Sequence, residues 1–130
     1  PHNTPLTRMR NSGQRDEALI EKQASEFATG FERIAAFMAP AGFAAGAAPS
    51  LGDCALAPFI GMLKQTVFPH FPEVIDPTES GGRLTAWWSA LQAHEGCRRN
   101  IEAYDTALET FLKWLHDMLA KRAQAAPSGD

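Results

Sequence analysis

The segment Ser50-Leu51-Gly52-Asp53 restricts the fold more than any other stretch of the chain. A serine followed three residues later by an acid has the spacing of a helix capping box. The serine hydroxyl can accept from the backbone N–H of the third helical residue, and that residue's side chain can reach back to the serine N–H. Asp53 stands where Glu or Gln is commoner, so the return bond must be short. An apolar run follows at once: Cys54, Ala55, Leu56, Ala57, Phe59, Ile60, Met62 and Leu63. A helix apolar on most sides belongs in the middle of a domain. Pro58 lies inside the run, removes one N–H and frees the carbonyl of Cys54, which predicts a bend. The plainest reading of Ser50 and Asp53 is structural, the cap of a core helix running from about Leu51 to Phe68.

Helical periodicity dominates the rest of the chain. Ile20, Ala24, Phe27, Phe31, Ile34 and Met38 recur at alternating spacings of four and three, which is a seam along one helix face. Glu17, Glu21, Lys22, Glu26 and Arg33 fall on the solvent side, and Pro40 and Gly42 end the helix. Residues 40–49 read as a small-residue loop with Phe43 tucked inward. Between Phe68 and Pro77 three prolines exclude a regular helix or central strand. Phe68 and Phe71 in that connection read as plugs for the bundle rather than as ligand contacts. The next helix is expected from near Ser80, with Leu84, Trp87, Trp88 and Leu91 on one side. His94-Glu95-Gly96 is read as a break, followed by a short helix from Cys97 and a last one from about Tyr104 to Lys121, separate or fused. Ile101, Tyr104, Leu108, Phe111, Leu115 and Leu119 carry its apolar face. Residues 1–13 are breaker-rich and read as an irregular lead-in, with one helical turn around Leu6 and Met9; residues 123–130 read as a frayed tail. No segment alternates with period two long enough for a strand. The chain therefore reads as all-α: one domain over residues 1–130, an irregular bundle of four to five helices.

Bulk properties remove several classes of function. The 130 residues carry a net charge of −3, which gives no electrostatic case for nucleic acid or an anionic membrane surface. No uninterrupted apolar run reaches about 18 residues, so no transmembrane helix is expected. Two cysteines are too few for a disulfide framework, and the four histidines show no ligand spacing, so no metal site is expected. Cys54 reads as a buried thiol. Cys97 stands beside Arg98 and Arg99, cations able to lower its pKa. They are not expected to pair, and a reducing cytoplasm fits such usage. A start at Pro1 fits removal of an initiator Met or an internal start.

The Ser50/Asp53 cap, its small-residue and Pro lead-in, and Ala55-Leu56-Ala57-Pro58 after it resemble the capping motif in the C-terminal helical domain of cytosolic glutathione transferases. A second segment is similar to the same family: Arg83-Leu84-Thr85-Ala86-Trp87, continuing to Leu91 and the polar turn His94-Glu95-Gly96-Cys97. The family's usual Pro in that turn is Glu95 here. The resemblance spans about residues 15–120.

The resemblance implies the helical half of an enzyme in which glutathione, bound mainly outside this chain, is conjugated to a hydrophobic electrophile. The thioredoxin-like N-terminal half, with its activating Tyr, Ser or Cys, has no counterpart here, so no catalytic residue is carried over, and residues 1–13 correspond to the end of the family's first long helix. Tyr104, by its register, is a packing residue. Implied partners are a second copy or a separate thioredoxin-like half, and a hydrophobic small molecule. Glutathione-transferase-like helical domains also serve as assembly modules without catalysis, which is the alternative reading, and an unrelated helical bundle is a third.

Overall fold

A computed structural model describes residues 5–125, and five α-helices account for most of them: α1 (Pro5–Ser12), α2 (Glu17–Phe37), α3 (Leu51–Thr66), α4 (Arg83–Ala93) and α5 (Glu95–Ala125). Local chemistry explains most of the boundaries. Asp16 caps α2 by accepting from the Leu19 N–H at 3.0 Å. Val67 and Phe68 both donate to the Leu63 carbonyl and end α3. Gly82, a residue with no side-chain cap to offer, precedes α4.

Three boundaries differ from the sequence expectation. Residues 5–12 are a helix, not an irregular lead-in. Pro5 costs nothing at the first helical position, Leu6 and Met9 are buried, and Gly13 at φ +71° turns the chain out. The Arg10 guanidinium ties α1 to the end of α3 by donating to the Thr66 carbonyl at 3.2 Å. The helices expected after the His94 turn, separate or fused, are one continuous helix that starts at Glu95 rather than about Cys97. Glu95 and Gly96 lie in its first turn, where glycine is tolerated and an acid suits the helix dipole. His94 serves both neighbours: its N–H closes α4 on Ala90 and Leu91, while its Nδ1 accepts from the Cys97 N–H at 3.3 Å. The fourth helix starts at Arg83 rather than near Ser80, because Gly81 at φ +85° and the Asp76–Thr78 turn precede it. Residues 123–125 belong to α5, and the remainder of the expected frayed tail lies outside the described residues.

The core gathers Ile20 and Phe31 from α2, Ile60 and Leu63 from α3, Leu84, Trp87 and Leu91 from α4, and Ile101 from α5. Leu6 of α1 and Phe71 and Val74 of the proline-rich connection complete it. Phe68 meets Phe31 edge-on at 6.5 Å, so both aromatics of the connection plug the bundle. The connection is pinned to α3 by the half-buried ion pair Lys64–Asp76 at 2.7 Å.

Candidate functional site

Two features organise the region where α2, α3 and α4 meet. The first is the Asp53 carboxylate, 3% exposed. Its Oδ2 accepts from the Ser50 N–H and the Ser50 hydroxyl, each at 2.7 Å. Its Oδ1 accepts from the Ala44 N–H at 2.8 Å and the Trp87 indole N–H at 2.7 Å. Both halves of a capping box are present. The Asp53 N–H also donates to the Ser50 carbonyl at 3.1 Å. Burial pushes the Asp53 carboxyl up, but the donors from Ala44, Trp87 and Ser50 outweigh it and hold it below the ordinary carboxylate range. One side chain thus fixes the start of α3, the loop before it and the middle of α4.

Arg83 clamps the same loop from the other side. Its Nε donates to the Ala39 carbonyl at 2.6 Å, and one terminal nitrogen donates to the carbonyls of Gly42 and Phe43 at 3.0 and 3.1 Å. The loop itself is closed by reciprocal backbone bonds between Phe43 and Gly46. Gly42 stands at φ +74°, and a Cβ there would lie 2.6 Å from the Gly46 carbonyl oxygen, so a side chain is excluded. Phe43 packs onto the core and meets the His94 ring edge-on at 5.7 Å.

The second feature is an open apolar groove of about 920 Å³ between α2 and α3, floored by Ile34, Met38 and Leu56. Phe37 and Leu51 stand on its rim at 92% and 87% exposure. The clamped loop supplies Ala44 and Ala45 to one wall. Ser50 therefore has two placements at once, in the cap and along the groove. A smaller cavity of about 200 Å³ lies between α3 and the start of α5, lined by Cys54, Pro58, Cys97, Ile101 and Tyr104 among others.

The two cysteines do not stand as the sequence suggests. Cys54 is exposed, not buried. The central helix buries Asp53, Ala57, Ile60, Leu63 and Thr66 on one side and leaves Leu51, Cys54, Ala55 and Phe59 open on the other. An apolar run reveals that a helix can be covered on all sides but not which side its own chain covers. Burial pushes the Cys97 thiol up, and the charges of Asp53 and Cys54 add to the shift. The neighbouring arginines do not offset this, because residues one and two positions on point to other faces of a helix. Arg98 instead pairs with Glu102 at 2.8 Å. Both thiols are free. Tyr104 packs beside Gly61 of α3, where a Cβ on the glycine would come within 3.5 Å of the ring.

The order of capped α3, aromatic connection and Trp-paired α4 is the arrangement that the two sequence segments implied. The sequence model described as Glutathione S-transferase, C-terminal domain matches residues 17–89. The chain belongs to that family. The match begins at the first residue of α2 and ends just past the Trp pair, so it contains Asp53, Ser50, Arg83 and Trp87. It leaves α1 and all of α5 outside. No curated protein and no solved structure matches the chain significantly. An unrelated helical bundle is thereby set aside. Among the described residues no helix is long and apolar enough to cross a membrane, and no group of three or more His, Cys, Asp or Glu could hold a metal.

Sequence reasoning placed Ser50 and Asp53 in the cap but missed the donors that Asp53 takes from Ala44 and Trp87. The signal was present in two halves: an acid within an apolar run needs donors, and a buried indole N–H needs an acceptor. In the sequence Arg83 stands only as part of a motif, and its three carbonyl partners have no signature there.

Proposed function

We propose that this chain is the helical, second-substrate side of a glutathione-transferase-like protein. In this reading a thioredoxin-like half binds glutathione and activates its thiol. The groove between α2 and α3 then contributes apolar surface to the seat of a hydrophobic electrophile or to the contact with that half. The reaction is attack of the glutathione thiolate on the electrophile. The observation that carries the reading is the family match over residues 17–89, and the exposed apolar rim at Phe37 and Leu51 supports it. Ser50 and Asp53 act structurally, none of this chain's side chains is assigned a catalytic role, and no metal takes part. A reducing cytoplasm is the expected compartment.

A second reading, an assembly module without catalysis, is favoured by one observation. The groove is open and lies on the surface rather than enclosed, a form that suits a protein partner as well as a small molecule. Calorimetric titration separates the roles. The chain alone should give no heat with glutathione and should bind a hydrophobic fluorophore, more weakly after Phe37→Ser. Tight glutathione binding by this chain alone would overturn the assignment of roles. Fluorophore binding unchanged by Phe37→Ser would remove the groove from it.

A further inference from the structure

The helix α5 has two unlike halves. Its first turns lie against α3 and α4: Ile101 is in the core, and the Gln65 side chain donates to the Asp105 carbonyl at 3.2 Å. Beyond Asp105 the helix keeps its apolar face. Leu108, Leu112, Leu115 and Leu119 continue at spacings of four, three and four, flanked by Phe111 and Met118. None of these six is in the core or packed against it. Phe111 and Leu119 are 52% and 41% exposed, and Leu108, Leu112, Leu115 and Met118 are partly exposed. A leucine seam with regular three-four spacing is the pattern by which one helix pairs with another. Residues 108–122 amount to about 22 Å of helix, and α5 lies outside the segment that matches the family.

We propose that the distal half of α5 is a homodimer surface, on which a second copy of this chain lays the same segment antiparallel. The charge pattern selects both the partner and the direction. The acids Glu102, Asp105 and Glu109 lie upstream, while Lys113, Lys121 and Arg122 lie downstream, with Asp117 among them. The segment is therefore complementary to its own reversed copy. In that arrangement Leu112 meets Leu115 of the second copy, and Leu108 meets Leu119. Phe111 meets Met118 along one flank, and Glu109 meets His116 along the other. Arg122 reaches the acidic end of the second helix. A parallel pair would set Arg122 against Arg122 on the seam and align the two helix dipoles unfavourably. The pairing is isologous, so it closes as a two-fold dimer. It stands independently of the proposed function, since no residue of the groove takes part.

The test is sedimentation equilibrium of the full chain, with far-UV circular dichroism as the check on folding. An interface of this length is small, so dimer should appear between about 10 µM and 1 mM. Leu115→Glu should weaken it at least about tenfold while the thermal melt of the dilute protein stays in place. Because the side chain touches nothing in the core, loss of folding is not expected to confuse the result. Direction is read from charge exchange. His116→Glu should weaken the dimer, and Glu109→Lys combined with His116→Glu should restore it. A monomer throughout that range would overturn the proposal, as would a dimer indifferent to Leu115→Glu, which would place the contact elsewhere, for example on the α2–α3 groove. A dimer that Leu115→Glu breaks but charge exchange does not restore would overturn the antiparallel direction.

Discussion

The Asp53 node and the distal half of α5 treat their side chains in opposite ways. Around Asp53 the carboxylate is fully partnered within the chain: four donors converge on it, and the indole that supplies one of them is fully buried. Along distal α5 the leucines lie outside the core and are not packed against it. The difference is one of contact range. The node joins residues up to 34 positions apart, Asp53 to Trp87, so it is a product of the fold. The α5 stripe is a product of helical periodicity alone. Stability should therefore be concentrated in the node and almost independent of the stripe, and substitutions in the two places should behave differently.

The largest effect should come from Trp87→Ala. Removing a buried Trp typically costs about 3–5 kcal/mol. Here it also deprives Asp53 Oδ1 of a donor inside a closed site, which adds to the loss. Urea melts should show a native state too marginal to give a full baseline. A midpoint close to that of the parent would mean that the contact does not organise the fold.

Asp53→Ala should come next, at about 2–4 kcal/mol, because a helix cap and hydrogen bonds from two further elements are lost together. The pH dependence has a definite sign. The folded Asp53 titrates below its ordinary value, so its contribution is fully present above the unfolded carboxyl pKa of about 3.9 and is lost as the pH falls through the lower folded value. The difference in stability between parent and Asp53→Asn should be constant near neutrality and close in acid, below about pH 4. A difference that persists unchanged into strong acid would assign the loss to packing rather than to the charge.

Ser50→Ala should cost less, about 0.5–2 kcal/mol, because the Ser50 backbone N–H keeps its bond to Asp53 Oδ2. If it equalled Asp53→Ala in urea melts, the hydroxyl and not the long-range donors would be the centre of the node.

The sequence made the node half legible for the same reason. Ser50 and Asp53 lie within one helical turn, and their spacing states their relation. The Ala44 and Trp87 donors lie across the fold, where spacing carries no information until the helices are packed. The Arg83 clamp is invisible for the same reason, since its acceptors are backbone carbonyls that any residue type provides. The errors follow the same division. Apolar neighbours predict a buried Cys54, yet coverage of α3 depends on where α2 and α5 lie. The break expected at His94 is a cap rather than a gap between helices. That cap ends one helix and begins the next, and Gly96, which reads as a helix breaker in sequence, lies in the first turn of α5, where a glycine disturbs little. Helix identity and the cap came from local pattern, whereas the faces that helices present came only from packing.

The smallest effect should be that of Leu115→Ala, and it sharpens the comparison most. In a core helix, a leucine truncated to alanine costs about 2–5 kcal/mol. Leu115 has the same residue type and the same place in a regular apolar seam, but nothing in the chain packs on it from the core. In dilute protein the change should therefore lie within about 0.5 kcal/mol of zero, with a slight loss or gain set by helix propensity, in which Leu and Ala differ little. At concentrations where the chain associates, the same substitution should lower the melting temperature, because a dimer adds stability by mass action. Thermal melts at two protein concentrations a hundredfold apart suffice. A core-sized loss in the dilute sample would mean that distal α5 folds back on the bundle, and the contrast between the node and the stripe would then fail.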